Sequence, residues 1–175
     1  MRRQIIFALV LGLNLGACVV MVPVDLGTQA AKTPTRPWPV TASCPLPARS
    51  ATDGPRVVAL LNAERAKSGL APVRLSPALG AVAHAFACEI AGRGGDIGHV
   101  GSDGSSLRER VQRGGVDAST VAENNAAGQR SAEEVVAAWM ASPHHRANML
   151  RAGVSFVGLG QADSPLPIWV LDFSS

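Results

Sequence analysis

Apolar residues recur at helical spacing in three long stretches of the chain and at strand spacing in two. Val57, Leu60 and Leu61 form one stripe, with Asp53 as a candidate cap, Pro55 in the first turn and Gly69 as the stop. Leu79, Val82, Ala83, Phe86 and Ile90 form a second, entered at Ser76-Pro77 and closed by Gly92 to Gly95. A third runs through Val135, Ala138 and Trp139, where Ser131 with Glu134 fits a capping box and Pro143 ends the helix by biasing Ser142 away from the α region. Ser106 with Glu109 fits another capping box, for a short helix that stops at Gly114-Gly115. The period then changes to two. Val154 to Ala162 and Leu166 to Phe173 predict an antiparallel hairpin turning at Asp163-Ser164-Pro165.

In the last strand Ile168 and Val170 fall on one face, with Trp169, Leu171 and Phe173 on the other. Both faces are apolar, so helices are expected on both sides. The fold class that follows is α+β, a three-layer α-β-α sandwich around a small central antiparallel sheet. Gly158 and Gly160 strip side chains from one stripe of the hairpin, which admits another backbone or a ligand.

The N-terminal third has another character. Arg2 and Arg3 precede the apolar run Ile5 to Leu15, the layout of an export signal. That run ends in Leu15-Gly16-Ala17-Cys18, which resembles a bacterial lipobox, so residues 1–17 are expected to leave as a signal peptide and Cys18 to carry lipid. Plain secretion and an uncleaved anchor from Ile5 to Val24 are the alternatives. All three place the protein outside the cytoplasm, in the cell envelope or secreted, and two tether it to a membrane. Seven prolines between Pro23 and Pro55 make residues 18–52 an extended tether, leaving residues 53–175 as the folded domain. With Cys18 lipidated, Cys44 and Cys88 are the remaining thiols, and an oxidising compartment argues for a disulfide between them, against two buried free thiols. Such a bridge is worth roughly 3–4 kcal/mol in the chain-entropy model.

Charge narrows the function. The chain has 16 Lys and Arg against 13 Asp and Glu, but losing Arg2 and Arg3 makes the exported part nearly neutral. There is no tyrosine and no basic stripe with interleaved aromatics, so nucleic acid is not an expected partner. Arg108, Arg110 and Arg113 read as a solvated helix face, and Glu89 and Asp96 as solvated charges. A serine-hydrolase elbow, a zinc-protease helix, a Walker loop and a dinucleotide fingerprint are all absent.

Three polar sites remain: Gly98-His99, Glu123-Asn124, and Pro143-His144-His145-Arg146-Ala147-Asn148. Together with Leu61-Asn62-Ala63-Glu64-Arg65 and Trp169 to Phe173, in this order, they resemble the CAP superfamily, the SCP domain of cysteine-rich secretory, antigen-five and pathogenesis-related proteins. The resemblance runs from about Arg56 to Ser175 and looks closest to short bacterial members. It implies a central cleft where His99, Glu123 and His145 converge, with Asn124 beside them. The family's second glutamate is replaced by Ser142, and the glycine before its second histidine by His144. No cofactor is required, although two imidazoles and a carboxylate, His99, His145 and Glu123, would serve a zinc ion with an open fourth position. The plainer alternative is that Glu123 accepts a hydrogen bond from one ring and fixes the cleft wall. His144 is expected to cap the preceding helix, where the dipole favours a protonated ring, and His84 to be a partly exposed helical residue. The leading functional expectation is a monomeric, non-enzymatic envelope domain that binds a lipid or cell-wall molecule at this cleft. The alternatives are a metal-dependent hydrolase with Glu123 as base, and a structural or protein-interaction module.

Overall fold

The computed structural model describes residues 44–163 and 165–175; the expected signal peptide, Cys18 and most of the tether lie outside them. Five helices and four strands follow in the order α1 (Ser50–Lys67), β1 (Arg74–Leu75), α2 (Pro77–Gly92), α3 (Leu107–Arg113), β2 (Val121–Ala127), α4 (Ala132–Ala141), α5 (Pro143–Met149), β3 (Phe156–Ala162) and β4 (Ile168–Ser174). The strands form one sheet in the order β1-β3-β4-β2. The β3–β4 hairpin is antiparallel, as its spacing predicts, and so is β2 against β4. The two-residue β1 pairs parallel to β3, so the sheet is mixed rather than wholly antiparallel.

Alternation along β4 sorts the core into two layers. Trp169, Leu171 and Phe173 pack with Val57 and Leu61 of α1, Val135 and Trp139 of α4 and Met149 of α5. Ile168 and Val170 pack on the other face with Ala83, Phe86, Ala87 and Ile90 of α2. Helices therefore cover both faces, and every residue of β4 is buried.

The contact of α2 with the sheet is unusually close. A Cβ on Gly160 would lie 2.0 Å from the Ala83 carbonyl carbon, and one on Gly158 would lie 2.2 Å from that of Leu79. The helix backbone sits where side chains would otherwise stand, so the bare stripe of β3 admits a helix rather than a ligand.

Several local expectations shift. Helix α1 begins at Ser50 with Arg49 at its cap position, ahead of Asp53. Asp53 is drawn elsewhere, its carboxylate accepting from Gln161 Nε2 of β3 at 2.8 Å. In α4 the buried stripe is Ala132, Val135, Val136 and Trp139, while Ala138 is exposed. Ser131 caps that helix, but Glu134 closes no box: it accepts from the Arg130 backbone instead of its own cap residue. The Ser106–Glu109 box is complete. The motif Leu61 to Arg65 has a structural account. Asn62 both donates to and accepts from the Val73 backbone, and the buried Arg65 donates to the carbonyls of Ala71, Met149 and Arg151.

Gly160→Ala is expected to destabilise the protein by about 3 kcal/mol, the upper end of overpacking costs, because backbone rather than a movable side chain blocks the new methyl. Gly92→Ala, with nothing within 4 Å of its added carbon, is expected to be neutral or slightly stabilising. Urea midpoints of the two variants, at unchanged slope, measure the contrast.

Candidate functional site

The site is built on the edge strand β2, where consecutive side chains must point to opposite faces. Glu123 points to the α2 face and Asn124 to the α5 face. Each fastens one histidine-bearing segment. Glu123 Oε1 accepts from His99 Nδ1 at 2.7 Å, which holds the loop between α2 and α3. Asn124 Nδ2 donates to the His145 carbonyl at 3.1 Å, and Asn148 Nδ2 donates to Asn124 Oδ1 at 2.9 Å and to the Glu123 carbonyl at 3.2 Å.

The carboxylate of Glu123 is fully committed. Beyond His99, its Oε1 accepts from Asn125 Nδ2 at 3.1 Å, and its Oε2 receives the buried Arg110 guanidinium at 2.5 Å. Arg110 also donates to the His99 carbonyl at 2.9 Å and lies over the Phe86 ring, 3.7 Å from its centroid. Arg110 is therefore not part of a solvated face, as its neighbours suggested. Leu107, Arg110 and Val111 share the inward stripe of α3, spaced three and four residues apart, and that spacing was the signal available for it. The two flanking arginines tie down surface loops: Arg108 donates to the Ala118 and Ser119 carbonyls, and Arg113 pairs with Asp103 at 2.5 Å. Glu89 is likewise no free charge, since its mostly buried carboxylate accepts from the Ser102 backbone and steadies the His99 loop.

His99 and His145 titrate in opposite directions. His99 is raised above the ordinary imidazole value, chiefly by its hydrogen bond to Glu123, with burial opposing. His145 is lowered, first by burial and then by the charges of His99 and His144. The expected helix C-terminus beside His144 and His145 is instead a helix start. Ser142 is extended, as a residue before proline should be, but Pro143 then occupies the first position of α5. Both residues lie in the first turn of α5, at a helix N-terminus rather than a C-terminus, and the exposed His144 caps nothing on α4.

Asp172 is a buried carboxyl that sequence reasoning missed, because it reads as one polar break in an apolar strand. It stands opposite Glu123 in the β2–β4 register. Burial, then the Glu123 charge, raises it well above the usual carboxylate range. Two carboxyls and one guanidinium thus share the buried layer beneath His99.

This donor set is a poor one for a divalent cation. Both Glu123 oxygens are engaged, and the positive charge an ion would bring is already supplied by Arg110. A guanidinium so close repels a second cation strongly in a buried site. The arrangement instead presents an exposed, protonation-prone His99 ring, fixed at Nδ1 by Glu123.

An α-β-α domain whose edge strand stitches two histidine segments to opposite faces of one sheet defines the class of protein. The comparisons agree: residues 58–173 match the model of the CAP, or cysteine-rich secretory protein, family, and the chain belongs to it. It is 31% identical over 144 residues to the uncharacterised protein YkwD of Bacillus subtilis, an alignment covering 82% of this chain and 55% of that one. The chain thus spans about half the length of that curated relative. Among solved structures it is similar to an extracellular SCP-domain protein of Bacillus anthracis, with a TM-score of 0.66 at 21% identity, covering 74% of this chain and 44% of that one. It is also similar to an outer surface protein of Borrelia burgdorferi, with a TM-score of 0.64 at 22% identity, covering 72% of this chain and 94% of that one. At such identities these two likenesses show the fold.

Proton titration by NMR is expected to give a His99 midpoint above about 6.5 and a His145 midpoint below it, with Glu123→Gln moving the His99 midpoint down. A raised histidine stabilises the fold below its unfolded value and loses that contribution as pH rises through its folded value. Stability removed by His99→Ala should therefore be larger at pH 5 than at pH 9. Asp172 has the same sign for a different reason. As a carboxyl raised on folding, it costs stability above the unfolded carboxyl value of about 3.9. Asp172→Asn is therefore expected to be more stable than wild type at pH 7, with the difference vanishing toward pH 3 in thermal melts.

Proposed function

We propose that this chain is an exported CAP domain that binds a cell-envelope lipid or cell-wall molecule with an anionic group at the His99–His145 cleft, without transforming it. The observation that carries this reading is the saturation of Glu123. A carboxylate already holding a guanidinium, an imidazole and an amide is a poor general base, which counts against Glu123 in that role. What it offers is a donor: the fixed, exposed His99 ring, whose side chain is 59% accessible. Ile97 and Val100 on the same loop are 44% and 58% exposed, which places apolar surface beside that donor. A cation-like donor flanked by aliphatic side chains suits an anionic amphiphile. Hydrolysis assisted by a metal on His99, Glu123 and His145 would require Arg110 to withdraw from the carboxylate.

Export is supported by the apolar run behind Arg2 and Arg3, by the Cys44–Cys88 disulfide and by the extracellular and surface proteins that share the fold. Lipid attachment at Cys18 and a monomeric state complete the proposal, with the membrane as the domain's neighbour through that anchor.

The full chain carrying Cys18→Ser, incubated with a bacterial envelope lipid extract and repurified, is expected to retain an anionic lipid detectable by mass spectrometry. His99→Ala and Val100→Asp should each lower the amount retained. A chain that recovers no lipid overturns the reading, and equal retention by both variants moves the ligand away from this cleft.

A further inference from the structure

Cys44, His84 and Cys88 bring two sulfurs and an imidazole nitrogen to within 4.8 Å of one another, and among the described residues they are the one such His, Cys, Asp or Glu group. In the oxidised protein Cys44 and Cys88 are joined in a disulfide. His84 precedes Cys88 by one turn of α2, so both side chains share a helix face. The ring is held between two carbonyl oxygens, with Nδ1 2.8 Å from that of Gln161 and Nε2 3.2 Å from that of Cys44. A neutral imidazole has one N–H and can donate to only one of them. The shorter contact assigns that proton to Nδ1. Nε2 then turns a lone pair toward the Cys44 carbonyl oxygen and lies 3.7 Å from the Cys88 sulfur. In that tautomer Nε2 is available as a ligand, with the Cys44 carbonyl oxygen 3.2 Å away and the Cys88 sulfur 3.7 Å from Nε2 and 3.8 Å from Nδ1.

We propose that the reduced form of this cluster is a zinc site, with the Cys44 and Cys88 thiolates and His84 Nε2 as ligands and the Cys44 carbonyl or water as the fourth. The Nδ1–H bond to the Gln161 carbonyl is the outer partner that fixes the tautomer and orientation of a metal-bound histidine. Two thiolates and an imidazole are the ligand types of structural zinc. Cys44 and Cys88, both only partly buried, line a surface cavity of about 880 Å³ through which a small reductant can approach the disulfide. A small dithiol reductant entering there delivers two electrons and two protons to the disulfide and is itself oxidised to a disulfide. Zinc then displaces the two thiol protons. The ion replaces the covalent staple, so the segment before α1 stays fastened to α2 in either redox state. This site is separate from the His99–Glu123 cleft and stands whether or not that cleft binds a lipid.

The test uses the full chain with Cys18→Ser, reduced by a phosphine that leaves as its oxide, and titrated with cobalt(II) as the spectroscopic stand-in for zinc. One equivalent is expected to produce a thiolate-to-cobalt charge-transfer band, which zinc abolishes on displacement and which the oxidised protein never shows. His84→Gln should weaken binding about tenfold or more, while its oxidised form keeps the wild-type circular dichroism. His99→Ala should leave the band unchanged. Absence of the band overturns the proposal. So does wild-type affinity in His84→Gln, loss of the band in His99→Ala, or a reduced chain whose fold is lost and is not restored by zinc.

Discussion

The ion pair between Arg110 and Glu123 is the constraint on which the rest of the site depends. Both side chains are shielded from water, and a charge in that position is tolerable only with a partner and with its remaining hydrogen bonds filled. Glu123 meets that demand through His99 and Asn125, and Arg110 through the His99 carbonyl and the Phe86 ring. Each contact made to satisfy the pair also fixes an element: the His99 loop, the edge strand, α3 and α2. Such pairs add little net stability, because desolvation offsets most of the attraction. Their consequence here is geometric. The same contacts hold loop, helix and strand to one another.

A second constraint is the two-residue alternation of β2. Because Glu123 and Asn124 face opposite layers, adjacent residues reach segments that are far apart in the chain, one before α3 and one in α5. The same alternation explains why the two histidines differ in protonation. His99 sits against a carboxylate and is driven toward the charged form, whereas His145 is driven away from it by burial and then by the charges of His99 and His144. A ligand entering between them meets one fixed cation-like donor and one neutral ring.

Much of the fold was legible in the chain. The α2 stripe, the capping box at Ser106, the hairpin and the split of β4 into two apolar faces all rest on local spacing, and local spacing survives folding. The glycine pair in β3 was legible as a close approach, but its partner was not, since the backbone of α2 that fills the gap lies more than seventy residues upstream. Strand β2 went unread because Glu123, Asn124 and Asn125 interrupt the apolar pattern that marks a strand. Those three polar residues are buried by partners from α3, α5 and the His99 loop, which no local window contains. The break at Pro143 was legible as a stop, but the same proline also starts α5, and that inverted the electrostatics expected at His144 and His145.

The sequence by itself determined the secondary elements with strong periodicity, the sandwich that two apolar strand faces require, and the identity of His99, Glu123, Asn124 and His145 as the polar groups worth following. Tertiary structure alone decided what those groups are. It turned Arg110 from a surface charge into the counterion of Glu123, raised Asp172 by burying it beside another carboxyl, and set His84 against the two cysteines. The physical reason is common to all three. Protonation and pairing are settled by burial and by neighbours within a few ångströms, and those neighbours come from elements distant in the chain.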